Sequence, residues 1–252
     1  MYTMEHLPNA VVQFNEDDIS YNPLIARALG STKSAIVLDF LNCNQKFHVS
    51  RKQLGSELSM SPHEIEAVLN KLFDAGILQS KLGAIEIDPF FMDTITYISE
   101  GCGYIENHLE FDLLRSVDIN RLHLKSIKNA GGSINAVILL SFLLSNLSDE
   151  DKLSWSKKQY SDWFESHDSL WSGLSGMTPK EIRNAKLVLK KLGLIELRKE
   201  GIPAQVIVRI NIQYLMDMTW TYTQKSNKAV RQIKLSKTQN TEFSFEPMRA
   251  FA

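Results

Sequence analysis

The sequence predicts a mainly α protein with small β-hairpins, an α+β chain made by duplicating one unit of three helices and a hairpin. Two observations predict this. Three segments recur in the same order along the chain, and in both copies the longest of them joins a strong helix start to a glycine stop and an alternating hairpin pattern. GSTKSAIVLDFL (30–41) aligns with GSINAVILLSFL (132–143) at an offset of 102, with six of twelve positions identical and two more apolar in both. SRKQ (50–53) aligns with SKKQ (156–159) at an offset of 106, and MSPHEIEAVLNKLFDAGIL (60–78) with MTPKEIRNAKLVLKKLGLI (177–195) at an offset of 117. On this alignment the second copy has gained 4 and then 11 residues.

The first segment, 32–42, is an apolar helix whose preceding hydroxyls are suited to an N-cap. The middle segment runs from Ser50 to Leu58, a short helix with Ser50 as cap and Leu54 and Leu58 on one face. The third begins Ser61-Pro62-x-Glu64 or Thr178-Pro179-x-Glu181. There a hydroxyl caps, proline fills the first helical position and glutamate reaches back to close a capping box. Its apolar stripe is Ile65, Val68, Leu72 and Ala75, matched by Ile182, Ala185, Leu189 and Leu192, and Gly76 or Gly193 ends it. The alternating residues of 76–87, and of 194–198 with 206–210 about the turn at Glu200-Gly201-Ile202-Pro203, predict a hairpin after each third helix.

Composition supports a folded core. Of 252 residues, 44% are apolar and 23% charged, which excludes wholesale disorder, collagen-like repeats and a disulfide scaffold. The most apolar run, 136–144, is broken by Ser141 and falls short of the roughly 18 residues of a membrane span. The start of the chain is acidic rather than basic, so no secretory signal is expected, and two cysteines, Cys43 and Cys102, fit a reducing, cytoplasmic setting. The net charge of −1 hides an asymmetry: residues 1–104 carry −6, 105–218 carry +1 and 219–252 carry +4.

Three helices followed by a hairpin are the layout of a winged helix-turn-helix, whose third helix enters a major groove. The expected organisation is an N-terminal extension (1–19), a winged-helix domain (20–98), a linker (99–107) around Gly101-Cys102-Gly103, a second winged-helix domain (108–218) and a basic C-terminal tail (219–252). The segment MTPKEIRNAKLVLKKLGLIELRKEGIPAQVIVRINI (177–212) resembles the recognition helix and wing of phage and plasmid replication proteins of the replisome-organiser type. YNPLIARALGSTKSAIVLDFLN (21–42) resembles the first helices of the same group, and the tandem arrangement is similar to that of plasmid replication initiators. The resemblance implies double-stranded DNA binding at an origin or operator.

With its stripe buried, the second recognition helix is expected to present Lys180, Arg183, Asn184, Lys186, Lys190 and Lys191, and the wing Arg198, Lys199 and Arg209. Arginine reads guanine O6 and N7, asparagine reads adenine N6 and N7, and lysine neutralises phosphate. The first recognition helix presents His63, Glu64, Glu66, Asn70, Lys71 and Asp74, with Arg51 and Lys52 as its clustered basic pair. Carboxylates beside phosphates repel, so copy one is assigned to dimerisation or protein contact and copy two to DNA. In the tail, Lys225, Lys228, Arg231, Lys234 and Lys237 recur every third residue, in register for an extended, polyproline-II-like arm along phosphates, with a solubilising, flexible terminus as the alternative. The Phe-rich end, 243–252, reads as a segment that packs back or docks on a partner, and Trp163, Phe164, Leu170 and Trp171 as additions to a core or subunit contact.

Enzyme chemistry finds no motif. Gly30-Ser31-Thr32-Lys33 has the wrong order for a phosphate loop and its copy lacks the lysine, and no Gly-x-Ser-x-Gly elbow occurs. Cys43, His48, Cys102 and His108 lack zinc-ligand spacing, so neither metal nor cofactor is expected. The expected function is sequence-specific duplex-DNA binding in replication initiation of a mobile element, by a homodimer that meets host or element replication proteins and no membrane. The alternatives are a transcriptional repressor and a phage-encoded interaction module or inhibitor whose acidic half mimics DNA.

Overall fold

The computed structural model describes residues 18–43, 49–81, 84–91, 116–145, 163–201 and 205–241. It is mainly helical with small antiparallel strand groups. In the first copy, β1 (Ile19–Tyr21) leads into α1 (Pro23–Leu29), α2 (Thr32–Cys43), α3 (Arg51–Glu57) and α4 (Pro62–Asp74), followed by the hairpin β2 (Leu78–Lys81) and β3 (Ala84–Ile87). In the second, β4 (Val117–Ile119) leads into α5 (Arg121–Asn129), α6 (Ile134–Ser145), β5 (Trp163–Glu165), α7 (Asp168–Ser175) and α8 (Pro179–Lys191). The hairpin β6 (Ile195–Glu200) and β7 (Gln205–Ile210) and the long helix α9 (Ile212–Thr241) complete it.

The local signals act as the residues dictate. Ser61 and Thr178 each close a capping box with Glu64 and Glu181, with proline just inside the helix. Ser31 and Ser133 accept from the backbone of Ser34 and Ala136 at 3.2 and 3.1 Å, capping α2 and α6. Each first helix opens on an asparagine cap: Asn22 accepts from Leu24 and Ile25, and Asn120 from Leu122 and His123.

The duplication governs the packing. β1 pairs antiparallel with its own counterpart β4, in the register Ile19↔Ile119, Ser20↔Asp118, Tyr21↔Val117. Antiparallel pairing of equivalent strands places the copies face to face, and the contacts between them are reciprocal. Arg27 of α1 donates to the Gly173 carbonyl of α7, and Lys125 of α5 donates to Glu57 of α3 at 2.8 Å. Thr32 of α2 meets Asn135 of α6 at 2.6 Å, and the Tyr21 hydroxyl donates to Ser175 O at 2.7 Å. Helices α2 and α6 are apolar on nearly every side because they lie between the copies, where one hydrophobic core runs through both. Fully burying each Leu or Ile there contributes roughly 1.5–3 kcal/mol.

Each α2 or α6 residue facing the capping glutamate plays the same part. Lys33 Nζ lies 2.7 Å from Glu64 Oε1, and Asn135 Nδ2 lies 3.2 Å from Glu181 Oε1. Burial pushes the Glu64 carboxyl up, but Lys33 and the Ser61 N–H and hydroxyl outweigh it and hold the group near about 2.

Three expectations need correction. Ile19, assigned to an N-terminal extension, belongs to β1 and is buried. The helix occupying the place of α3 in the second copy is α7, at the same offset of 117 as α4 and α8, whereas 156–159, the segment matched to Ser50–Gln53 by sequence, lies outside the described residues. The backbone agrees: Ser59, at φ +50, is replaced at that offset by Gly176, at φ +71. Finally, the basic tail is not an extended arm. Helix α9 runs through the expected boundary at 218, because 212–241 contain neither glycine nor proline, Asn211 caps its start at Tyr214 N (3.2 Å) and Leu215 is fully buried. The linker 99–107 and the Phe-rich end 243–252 lie outside the described residues.

Candidate nucleic-acid interface

Helix α8 buries Ile182, Ala185 and Leu189, as the periodicity predicts, and exposes Lys180, Arg183, Asn184, Lys190 and Lys191. Lys186 is the exception and corrects the expected outer face. It is only 3% exposed, and its Nζ donates to Ser166 O and to Asp168 Oδ1, both at 2.7 Å. Position 186 follows Ile182 by four residues, so it shares the inner face; the lysine spans that face to reach the start of α7. It pins α7 to α8 and is closed to phosphate.

Asp168 serves two cations. Its Oδ1 takes Lys186, and its Oδ2 lies 3.5 Å from Arg183 Nε, which also donates to Pro179 O at 3.3 Å. These contacts hold the inner edge of the guanidinium while the arginine side chain stays 66% exposed. The terminal nitrogens are thereby left for a bidentate acceptor.

The hairpin after α8 joins β5 in a three-stranded sheet in the order β5-β7-β6. Its hairpin registers Ile195↔Ile210 through Glu200↔Gln205, two residues longer in each strand than β2/β3. Arg198 pairs with Glu200 at 3.0 Å on the exposed face, while Lys199 is exposed. Exposed pairs of this kind contribute about 1 kcal/mol or less, so Arg198 exchanges partners cheaply. Arg209 is more constrained: it donates to Glu196 Oε1 at 2.5 Å and lies 5.3 Å from the centroid of the Trp163 ring. Of the other residues read as core or contact material, Trp171 is buried, Leu170 is exposed, and the Phe164 side chain lies outside the description.

The corresponding face of α4 differs in charge. His63, Glu66, Asn70, Lys71 and Asp74 are exposed, while Glu64 turns back to Ser61 and Lys33. Arg51 and Lys52 are both exposed, Arg51 paired with Glu66 at 3.3 Å, while Lys71 donates to Leu29 O at 2.6 Å. On α9, Lys225 is exposed, and Lys228, Arg231 and Lys234 occupy helical backbone. A step of three residues on a helix drifts by about 60° around the axis, so these positions do not share one stripe.

Two residues of the site carry no signal in the sequence motifs. Asp168 gains its role only through the packing of α7 on α8, which brings it to Lys186 and Arg183. Leu187, 61% exposed, interrupts the cationic face of α8. Its separation of five residues from Ile182 and two from Leu189 already places it opposite the buried stripe. Among the described residues no cluster of histidine, cysteine or carboxylate side chains could hold a metal, and no helix is long and apolar enough to cross a membrane. His48, Cys102 and His108 lie outside the described residues. No family model, curated protein or solved structure matches the chain.

Proposed function

We propose that the chain is a sequence-specific double-stranded DNA-binding protein built on two winged helices, with α8 as the helix that enters the major groove and β6/β7 as its wing. The observation that carries the reading is the outer face of α8, where Lys180, Arg183, Asn184, Lys190 and Lys191 stand exposed together beside the basic hairpin. The succession helix, strand, helix, helix, strand, strand in the second copy supports it, as does the sheet order β5-β7-β6. Arg183, steadied by Asp168, supplies guanine recognition, Asn184 adenine recognition, and the lysines and Lys199 phosphate contacts. A role in replication initiation of a mobile element rests on the resemblance of 177–212 and 21–42 to replisome-organiser-type proteins. Repression at an operator would use the same surface, acting as a homodimer in the cytoplasm in either case.

Copy one serves protein contact, with replication proteins or a second chain as partners; the carboxylates Glu66 and Asp74 on the exposed face of α4 support this reading. A salt titration of duplex binding tests the whole reading. Each phosphate neutralised should add about −0.9 to the log–log slope. Absence of duplex binding at low salt would favour a pure interaction module.

A further inference from the structure

We infer that Leu187 reads the 5-methyl group of a thymine in the duplex held by α8. The inference rests on the DNA-binding reading and adds a base that the helix discriminates. Leu187 is 61% exposed on a helix that buries Ile182, Ala185 and Leu189. Arg183 and Asn184 lie four and three residues before it, Lys190 and Lys191 three and four after, and all four are exposed. These spacings make them its neighbours on one helix face. A protein pocket that took the leucine would also have to desolvate three surrounding cations, which is costly unless each is paired. Duplex DNA meets both demands at once. Its phosphates flank the groove to receive the cations, and the thymine methyl is the apolar group that the bases present on the major-groove floor. In the first copy the equivalent position is Asn70, between Glu66 and Asp74, so the apolar centre and the cationic surround occur together in the second copy and not the first.

The full chain is first used to select duplexes from a random-sequence library. The recovered duplex is then resynthesised with deoxyuridine at each thymidine in turn, which keeps the base pairing and removes only the methyl. At the thymine that Leu187 meets, the wild-type chain should lose about fourfold in affinity, the worth of one buried methyl. Leu187→Ala, which keeps helix propensity, should bind the thymine duplex about fourfold more weakly and ignore the uracil exchange at that position. Equal wild-type affinity for every uracil duplex overturns the inference and leaves DNA binding standing. So does a uracil penalty that survives Leu187→Ala. If the wild-type chain recovers no duplex, both readings fail together. Loss of self-association by Leu187→Ala in sedimentation, with DNA affinity unchanged, overturns the inference by making the leucine a protein contact.

Discussion

Arg51 and Glu66 pair at 3.3 Å, and one repeat later the same two positions hold Asp168 and Arg183 at 3.5 Å with the charges exchanged. The geometry survives the duplication and the polarity does not. In copy one the carboxylate stands on α4; in copy two the guanidinium stands on its counterpart α8. Asp168 also sits in the first turn of α7, where a negative charge complements the helix dipole.

That exchange predicts an asymmetry in DNA binding. Arg183→Ala should cost about 1–3 kcal/mol at one base pair and relax the preference there. Reversing Lys52 and Lys71 should leave affinity nearly unchanged, while reversing Arg183 and Lys190 abolishes it. Anisotropy titrations of these variants check this, and equal losses in both copies would end the division of labour.

Lys186 should behave as a structural cation. Lys186→Met strands the Ser166 carbonyl and removes one of the two cations of Asp168. Asp168 is 32% exposed at its side chain, which tempers the loss. Destabilisation of about 2–3 kcal/mol is expected in urea melts. The salt slope of duplex binding at a temperature where the variant is folded should stay at the wild-type value; a shallower slope would return Lys186 to the phosphate-contacting set.

Gly176 is held at φ +71, and a Cβ there would lie 2.6 Å from Pro23 O and 3.1 Å from the Ala26 Cβ. The glycine is where α1 of one copy lies against the turn before α8 of the other. Gly176→Ala combines left-handed strain of about 1–2 kcal/mol with overpacking of about 1–3 kcal/mol. Thermal unfolding should show a loss of roughly 2–5 kcal/mol; Ser59→Gly, which relieves the left-handed strain at the equivalent turn, measures what the φ alone contributes.

Burial pushes the Asp39 carboxyl up to about 7, against the pull of the Asn22 N–H that donates to it at 3.0 Å. Unfolded, the group titrates near about 3.9. Between those values the folded chain holds a proton that the unfolded chain has released, so stability falls as pH rises through the window and levels off above it. The loss is on the order of 4 kcal/mol. His123 works in the opposite direction. Burial lowers it to about 4, so its neutral form stabilises the fold at neutral pH and that contribution disappears as pH falls from about 6.5. Asp39→Asn should therefore raise stability markedly near pH ~8 and little near pH ~4. A gain of the same size at both would show that the carboxyl titrates normally.

Local chemistry was legible in the sequence. The capping boxes at Ser61 and Thr178, the glycine stops, the hairpins and the stripes of α4 and α8, apart from their last members, the exposed Ala75 and the half-buried Leu192 at the helix ends, depend on residues near one another along the chain, and short-range sterics and hydrogen bonds settle them. The exposed cations of α8 followed from the same periodicity. What spacing could not decide was everything set by the second copy or by a neighbouring element. Strand β1 is three residues long and exists as a strand through its pairing with β4, about a hundred residues away. Lys186 reads as surface until α7 brings Asp168 to it, and the tail reads as an extended arm until the turn after β7 and the packing of Leu215 commit it to a helix. The reciprocal seam of Arg27 on Gly173 and Lys125 on Glu57 arises because each copy has an apolar central helix that it cannot bury alone. Covering that surface fixes how the halves meet, and no pattern within either half carries that information.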